Sequence, residues 1–239
     1  MKTRGLVAVL LFLTGLQSAL AQTLKLYLSD KQVVEYSVEK VDSLVFTDGA
    51  GDTAETHEWV DLGLPSGTLW ATCNVGANSP EEYGDYFAWG ETSPKNVYTE
   101  ETYLYYDAAN NRKLIDIGTE ISGTEYDAAR KQWGDDWRMP AEEELYELLR
   151  DCLWQWFTIN GVNGYKVIGP NGNSIFLPAA GTSDPEYPEY NECGYYWTGS
   201  FSDEDCHWDA LCLKFHDDEF GHYSTYSHPY EGLTIRPVT

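Results

Sequence analysis

Between Ser202 and Tyr230 the chain gathers the side chains that can bind, coordinate or attack. Asp203-Glu204-Asp205 and Asp217-Asp218-Glu219 are clusters of hard oxygen donors, the ligand type that Ca²⁺ prefers. Neither has the alternating spacing of a calcium loop. A solvated acidic loop accounts for them better, so no cofactor is implied, and calcium is the one ion these clusters would suit. His207, His216, His222 and His228 would hold a transition metal if they converged; scattered surface histidines are the simpler reading. Cys206 beside His207 has the composition of a nucleophile and its base. The adjacent Glu204 and Asp205 raise a thiol's pKa and blunt its attack, and adjacency in sequence makes no catalytic pair. Asp217-Asp218 is no signal for glycoside hydrolysis in a chain with 39 acidic residues.

The same stretch reads more simply as a contact surface. Polar-aromatic mixtures give binding faces their area through Tyr and Trp, and their adaptable bonding through small polar groups. The expected contact residues are Asp203, Asp205, His207 and Trp208, then His216, Asp217 and Glu219. His222, Tyr223, Tyr226, His228 and Tyr230 complete the set. An ordinary wet face of a tyrosine-rich protein is the competing explanation.

These residues belong to a chain of 239 residues with a formal charge of −24, which repels nucleic acid and anionic lipid. Aromatics make up 15% of it, with nine Trp and eighteen Tyr, too many for a disordered chain. Residues 1–21 have the form of a secretory signal: Lys2 and Arg4, an apolar run from Leu6 to Leu13, and the small-residue pattern Ala19-Leu20-Ala21. The run is too short to span a bilayer, which takes about 20 apolar residues, and no later stretch is long enough. Export to the periplasm, cell surface or medium is expected, and it permits disulfides. Five cysteines, Cys73, Cys152, Cys193, Cys206 and Cys212, leave at least one unpaired within the chain. Cys73 with Cys152, and two of the last three, are candidate pairs; buried free thiols fit equally well.

The elements that must position the contact residues follow. Residues 22–47 form a small β segment, with Leu24, Leu26 and Leu28 alternating against polar neighbours and a second extended run from Val33 to Val38. Residues 48–57 are a linker of Gly, Asp, Thr and Ala. The main domain spans 58–239. Asp127 to Trp133 predicts a short helix. Pro140 suits a first helical position, and Glu142, Glu143 and Glu144 suit the positive end of a helix dipole. Leu145, Leu148, Leu149 and Cys152 then mark one buried face. Strands are expected at Trp154–Ile159, Tyr165–Ile168, Ser174–Ala179, Tyr195–Thr198, Trp208–Phe215 and Leu233–Val238. In the fifth, Leu211, Leu213 and Phe215 should face the core, and Cys212, Lys214 and His216 should not. The class is α+β, with two helices and several short antiparallel strands.

Particular words of the sequence carry a resemblance. Trp59–Ala77 (WVDLGLPSGTLWATCNVGA) resembles the opening of the Fibrobacter succinogenes major paralogous domain family, and Glu82–Glu91 (EYGDYFAWGE), Trp137–Pro140 (WRMP) and Gly172–Gly181 (GNSIFLPAAG) follow in the family's order. Tyr195-Tyr196-Trp197 and Ile235–Val238 (IRPV) close it. The stretch from Val38 to Phe46 resembles the short segment that precedes such domains in secreted Bacteroidota proteins. The resemblance implies a C-type-lectin-like fold whose first and last strands pair and whose ligand-facing loops lie in the second half. Arg138-Met139-Pro140 is also similar to a segment of formylglycine-generating enzymes, though the surroundings of Cys206 and Cys212 do not resemble that family's cysteine site. Ala141 stands where a threonine usually caps the helix. The sugar-binding signatures Glu-Pro-Asn and Trp-Asn-Asp of true C-type lectins are absent. Residues 202–231 resemble the stretch that diversity-generating retroelements rewrite in some C-type-lectin-like proteins. Trp70, Trp89, Trp137, Trp197 and Arg138 are assigned to the framework, Arg138 meeting a buried carboxylate. The expected function is binding of a protein or glycan ligand, not catalysis. An enzyme of the formylglycine-generating type or a hydrolase is one alternative, and a structural or assembly surface subunit is another.

Overall fold

The structure, a computed structural model, describes residues 23–27, 33–37, 57–107, 113–114, 117–183, 190–202, 209–217 and 221–239. The signal segment, the 38–47 end of the small β segment and most of the linker lie outside the described residues, as do Asp203, Asp205, Cys206, His207, Trp208 and Glu219. The chain divides into two compact units, Met1–Asp52 and Thr53–Thr239. In the first, β1 (Thr23–Tyr27) pairs antiparallel with β2 (Val33–Ser37), Leu26 opposite Val34.

In the second unit the chain's end meets its beginning. β3 (Trp59–Asp61) pairs with β4 (Leu69–Ala71). Leu69 and Thr239 exchange both backbone bonds, at 3.2 and 3.0 Å, and Arg138 and Val238 do the same at 3.0 and 2.9 Å. After β5 (Tyr106–Asp107) and β6 (Lys113–Leu114) comes the first predicted helix, α1 (Ala128–Trp133). The Asp127 carboxylate accepts from the Arg130 amide at its start.

The second helix, α2 (Glu142–Asp151), begins two residues later than the sequence suggested, so Pro140 precedes the cap rather than opening the helix. Ala141 is the N-cap and offers no side-chain acceptor. Two other groups take its place: the Glu144 carboxylate accepts from the Ala141 amide at 2.9 Å, and the Ser200 hydroxyl oxygen accepts from the Glu142 amide at 3.0 Å. Leu145 and Leu148 are buried as the spacing predicted.

The meander is β7 (Leu153–Ile159), β8 (Val162–Ile168) and β9 (Ser174–Pro178). Asn160 and Gly161 both have positive φ, 50° and 87°, the signature of a two-residue type I′ hairpin. The third strand group, β10 (Cys193–Ser202), β11 (Asp209–His216) and β12 (His222–Ser227), forms one antiparallel sheet in that order. It stands between two cores. Leu211, Leu213, Phe215 and Tyr196 pack into one with Trp70, Leu145, Leu148 and Trp154. Tyr195, Trp197, Ala210 and Cys212 pack into the other with Phe87, Trp89, Ile121 and Ile235. The expectation that Cys212 would face away from the core is therefore corrected: β11 is buried on both faces along Ala210–Leu213, and Cys212 has no exposure.

The assigned framework residues are buried: Trp70, Trp89, Trp137 and Trp197 expose at most 7%. Trp89 Nε1 donates to the Thr198 carbonyl at 2.9 Å and Trp197 Nε1 to that of Phe87 at 2.7 Å, so two indoles tie β10 to the Glu82–Glu91 segment. Arg138 meets Glu144 with two parallel bonds of 2.6 Å.

Candidate functional site

β12 is the edge of its sheet, and its register sets what each side chain faces. Tyr223, Thr225 and Ser227 lie opposite Lys214, Cys212 and Ala210; His222, Ser224 and Tyr226 lie opposite Phe215, Leu213 and Leu211. Paired residues share a face. The two sets therefore point to opposite sides of the sheet.

The Tyr223 face borders a cleft of about 500 Å³, within the range of small-ligand sites, roughly 300–1,000 Å³. Its floor is Tyr195 of β10 and Lys214 of β11, the ammonium lying 4.7 Å from the ring centroid in a cation–π contact. One wall is Tyr223, Thr225 and Ser227; Tyr226 lies between them in the strand, but its ring is on the other face, near Tyr146 of α2. The segment after β12 adds Tyr230, Glu231 and Gly232, and Tyr98, Thr182 and Ser183 close the far side. Gly232 is required there. A Cβ on it would come within 2.1 Å of Ser183 Oγ and 2.8 Å of Tyr98 Cγ, while its carbonyl accepts from the Ser183 amide at 2.9 Å. Ser227 Oγ donates to Glu231 Oε2 at 2.5 Å and fixes that carboxylate.

Three groups at this cleft have no hydrogen-bond or ion-pair partner among the described residues. Ser183 Oγ is a buried hydroxyl with no hydrogen bond. Lys214 makes no ion pair among the described residues, in a chain with 15 basic and 39 acidic residues. Glu231 Oε1 accepts from no described residue. Polar groups in a folded chain are ordinarily bonded, so the Lys214 ammonium and Glu231 Oε1 are left to water or a ligand, while Ser183 Oγ is covered.

Of the residues expected to make contacts, Tyr223 and Tyr230 border this cleft with their side chains, whereas the Tyr226 ring lies on the other face of β12. His216 is next to it, edge-on to Tyr223 at 6.1 Å. His228 sits at its rim, bonded to the Asp209 carboxylate at 2.8 Å and stacked 5.2 Å from Tyr230. Asp217 is exposed at the end of β11. His222 belongs elsewhere: it stacks on Trp154 at 4.2 Å and 11°, and burial pushes its pKa down. It extends the core around the meander. Lys214, Glu231, Ser183, Thr225 and Tyr98 escaped the sequence reading. Lys214 has the one legible signal among them, a cation in an otherwise apolar alternating strand.

Among the described residues no group of three or more His, Cys, Asp or Glu is placed to hold a metal ion, and no helix is long and apolar enough to cross a membrane. Cys73, Cys152 and Cys212 are free thiols, so the Cys73–Cys152 pairing is not made. Burial pushes the Cys152 thiol up to about 11, with Asp151 and Glu147 adding to it. Cys212 is pushed up as well, chiefly by burial, the reverse of what an attacking thiolate needs. Compared with known protein families, curated proteins and solved structures, the chain matches none.

Proposed function

We propose that this chain is an exported binding protein, secreted or displayed at the cell surface. A C-type-lectin-like major paralogous domain carries its ligand in the cleft beside β12. One observation supports this most: unsatisfied polar groups and tyrosine rings converge on a preformed concavity built, apart from Tyr98, from the C-terminal third of the chain. Tyr223 and Tyr230 supply rigid contact area at low entropic cost. Beneath them, the Trp89 and Trp197 bonds and the doubly buried β11 hold the floor still, which is what preorganised recognition requires. The remaining expected contacts Asp203, Asp205, His207, Trp208 and Glu219 lie outside the described residues.

The test is capture on a combined glycan and protein array by the purified chain, beside Tyr223→Ala and Tyr230→Ala. Both side chains are half-exposed, so the variants should melt within about 2 °C of the parent, as surface changes away from special contacts do. Capture should fall at least tenfold. Full capture by both variants, or no capture by the parent, would overturn the reading.

A further inference from the structure

The charge pattern of the cleft narrows what it takes. Lys214 and Glu231 both line it and do not pair with each other, since no ion pair joins them. One offers only donors; the other, with Oε2 held by Ser227, offers a free acceptor at Oε1. An anion seated between them meets Glu231, and beyond it Glu100, Glu101 and Asp209, which act electrostatically on the neighbouring Tyr230. A cation seated there meets Lys214. A ligand of either sign is opposed on one side, whereas a hydroxyl both accepts from an ammonium and donates to a carboxylate. The rest of the lining has the same two-way character: Ser183, Thr225, Tyr223 and Tyr230 carry hydroxyls that can both donate and accept.

We infer that the cleft recognises a neutral saccharide directly, without a bridging metal ion, with Lys214 as donor and Glu231 as acceptor to its ring hydroxyls. Ser183 Oγ, covered and unbonded at the closed side, turns about χ1 to meet one further hydroxyl. The rings of Tyr223 and Tyr230 lie against the sugar's C–H faces. This rests on the binding function proposed above and names its ligand class.

The experiment is titration of the purified chain with a panel of neutral oligosaccharides built from glucose, galactose, mannose and their N-acetyl forms. A matched panel of uronate and sialylated oligosaccharides and a set of basic and acidic peptides run beside it, all with and without EDTA. Binding to at least one neutral member is expected, unchanged by EDTA. Lys214→Met and Glu231→Gln should each weaken it tenfold or more. Ser183→Ala supplies a readout that a purely structural role would not give: it removes an unbonded buried hydroxyl, so the melting temperature should hold or rise while affinity falls several-fold. If only charged saccharides or peptides bind, and these same variants abolish that binding, the saccharide assignment fails while the binding function survives. If a neutral sugar binds and the three variants retain full affinity, or EDTA removes it, the inferred site is wrong. If nothing in any panel binds, both fall.

Discussion

Replacing Arg138 by Met leaves a buried, four-times-bonded carboxylate without its cation. Glu144 exposes only 9% and accepts four hydrogen bonds: two from Arg138 at 2.6 Å, one from Thr68 Oγ1 at 2.6 Å and one from the Ala141 amide at 2.9 Å. Burial pushes its carboxyl up, but the bonds from Arg138, Thr68 and Ala141 outweigh it and hold the group below its ordinary value. Removing one partner of a buried pair costs about 3–5 kcal/mol. The Arg138 side chain is one-third exposed, at 33%, so water repays part of that, and about 3 kcal/mol is the working figure. For a unit of this size each kcal/mol is worth roughly 2–4 °C, giving a fall of roughly 6–12 °C by calorimetry at pH 7. The pH dependence has a definite sign. In the parent the folded carboxyl titrates below its unfolded value, so its stabilisation is present above the unfolded pKa and is lost as pH falls through the folded one. In Arg138→Met burial acts unopposed by the cation, the carboxyl titrates higher, and acidification from pH 7 relieves the penalty. The gap between variant and parent should therefore narrow toward pH 4, and Arg138→Met combined with Glu144→Gln should lose less than the sum of the two. A fall under 2 °C, or a gap that widens on acidification, would refute the reasoning.

The remaining expectations are simpler. Ala141→Thr gives α2 the side-chain acceptor it lacks and should stabilise by about 1 kcal/mol in chemical denaturation, with no change in slope. Gly194→Ala should destabilise by about 3 kcal/mol, because the new Cβ would lie 2.1 Å from Phe215 Cζ, and Phe215 is fully buried with no room to retreat. Alkylation by iodoacetamide at pH 8, followed by peptide mass mapping, should leave Cys152 and Cys212 largely unmodified in the folded chain and modify both after denaturation, since burial keeps both thiols protonated and covered.

The elements were legible where their periodicity had a single cause. Leu145 and Leu148 recur on one helical face and are buried; the hairpin turn, expected over residues 160–164, is made by Asn160 and Gly161 alone, and the return strand begins at Val162 rather than Tyr165. The Arg138 partner was readable from charge alone, an arginine set before an acidic helix. β12 was not legible. His222 to Ser227 shows no apolar alternation, because one of its faces borders a polar cleft and the other buries a histidine ring against Trp154 rather than an aliphatic chain. The double burial of β11 was hidden for a related reason: Cys212 and Ala210 are small enough to read as neutral in polarity, and only a second core behind the sheet reveals them as interior. The candidate site was found in part. Its tyrosines announce themselves by density between Tyr223 and Tyr230. Tyr98 and Ser183 reach the same cleft from positions 125 and 40 residues before Tyr223; that approach is a property of the fold, carried by Gly232, and leaves no local trace. The two faces of β12 also divide residues that the sequence ran together, so His222 serves packing while its neighbour Tyr223 borders the cleft.

The most direct measurement is hydrogen–deuterium exchange of the chain alone and saturated with the tightest ligand from the array. Protection should appear in the 222–232 segment and in the peptides carrying Lys214 and Ser183, with little change along α1 and the β7–β8 hairpin. Protection confined to that hairpin, or absent from 222–232, would contradict the account.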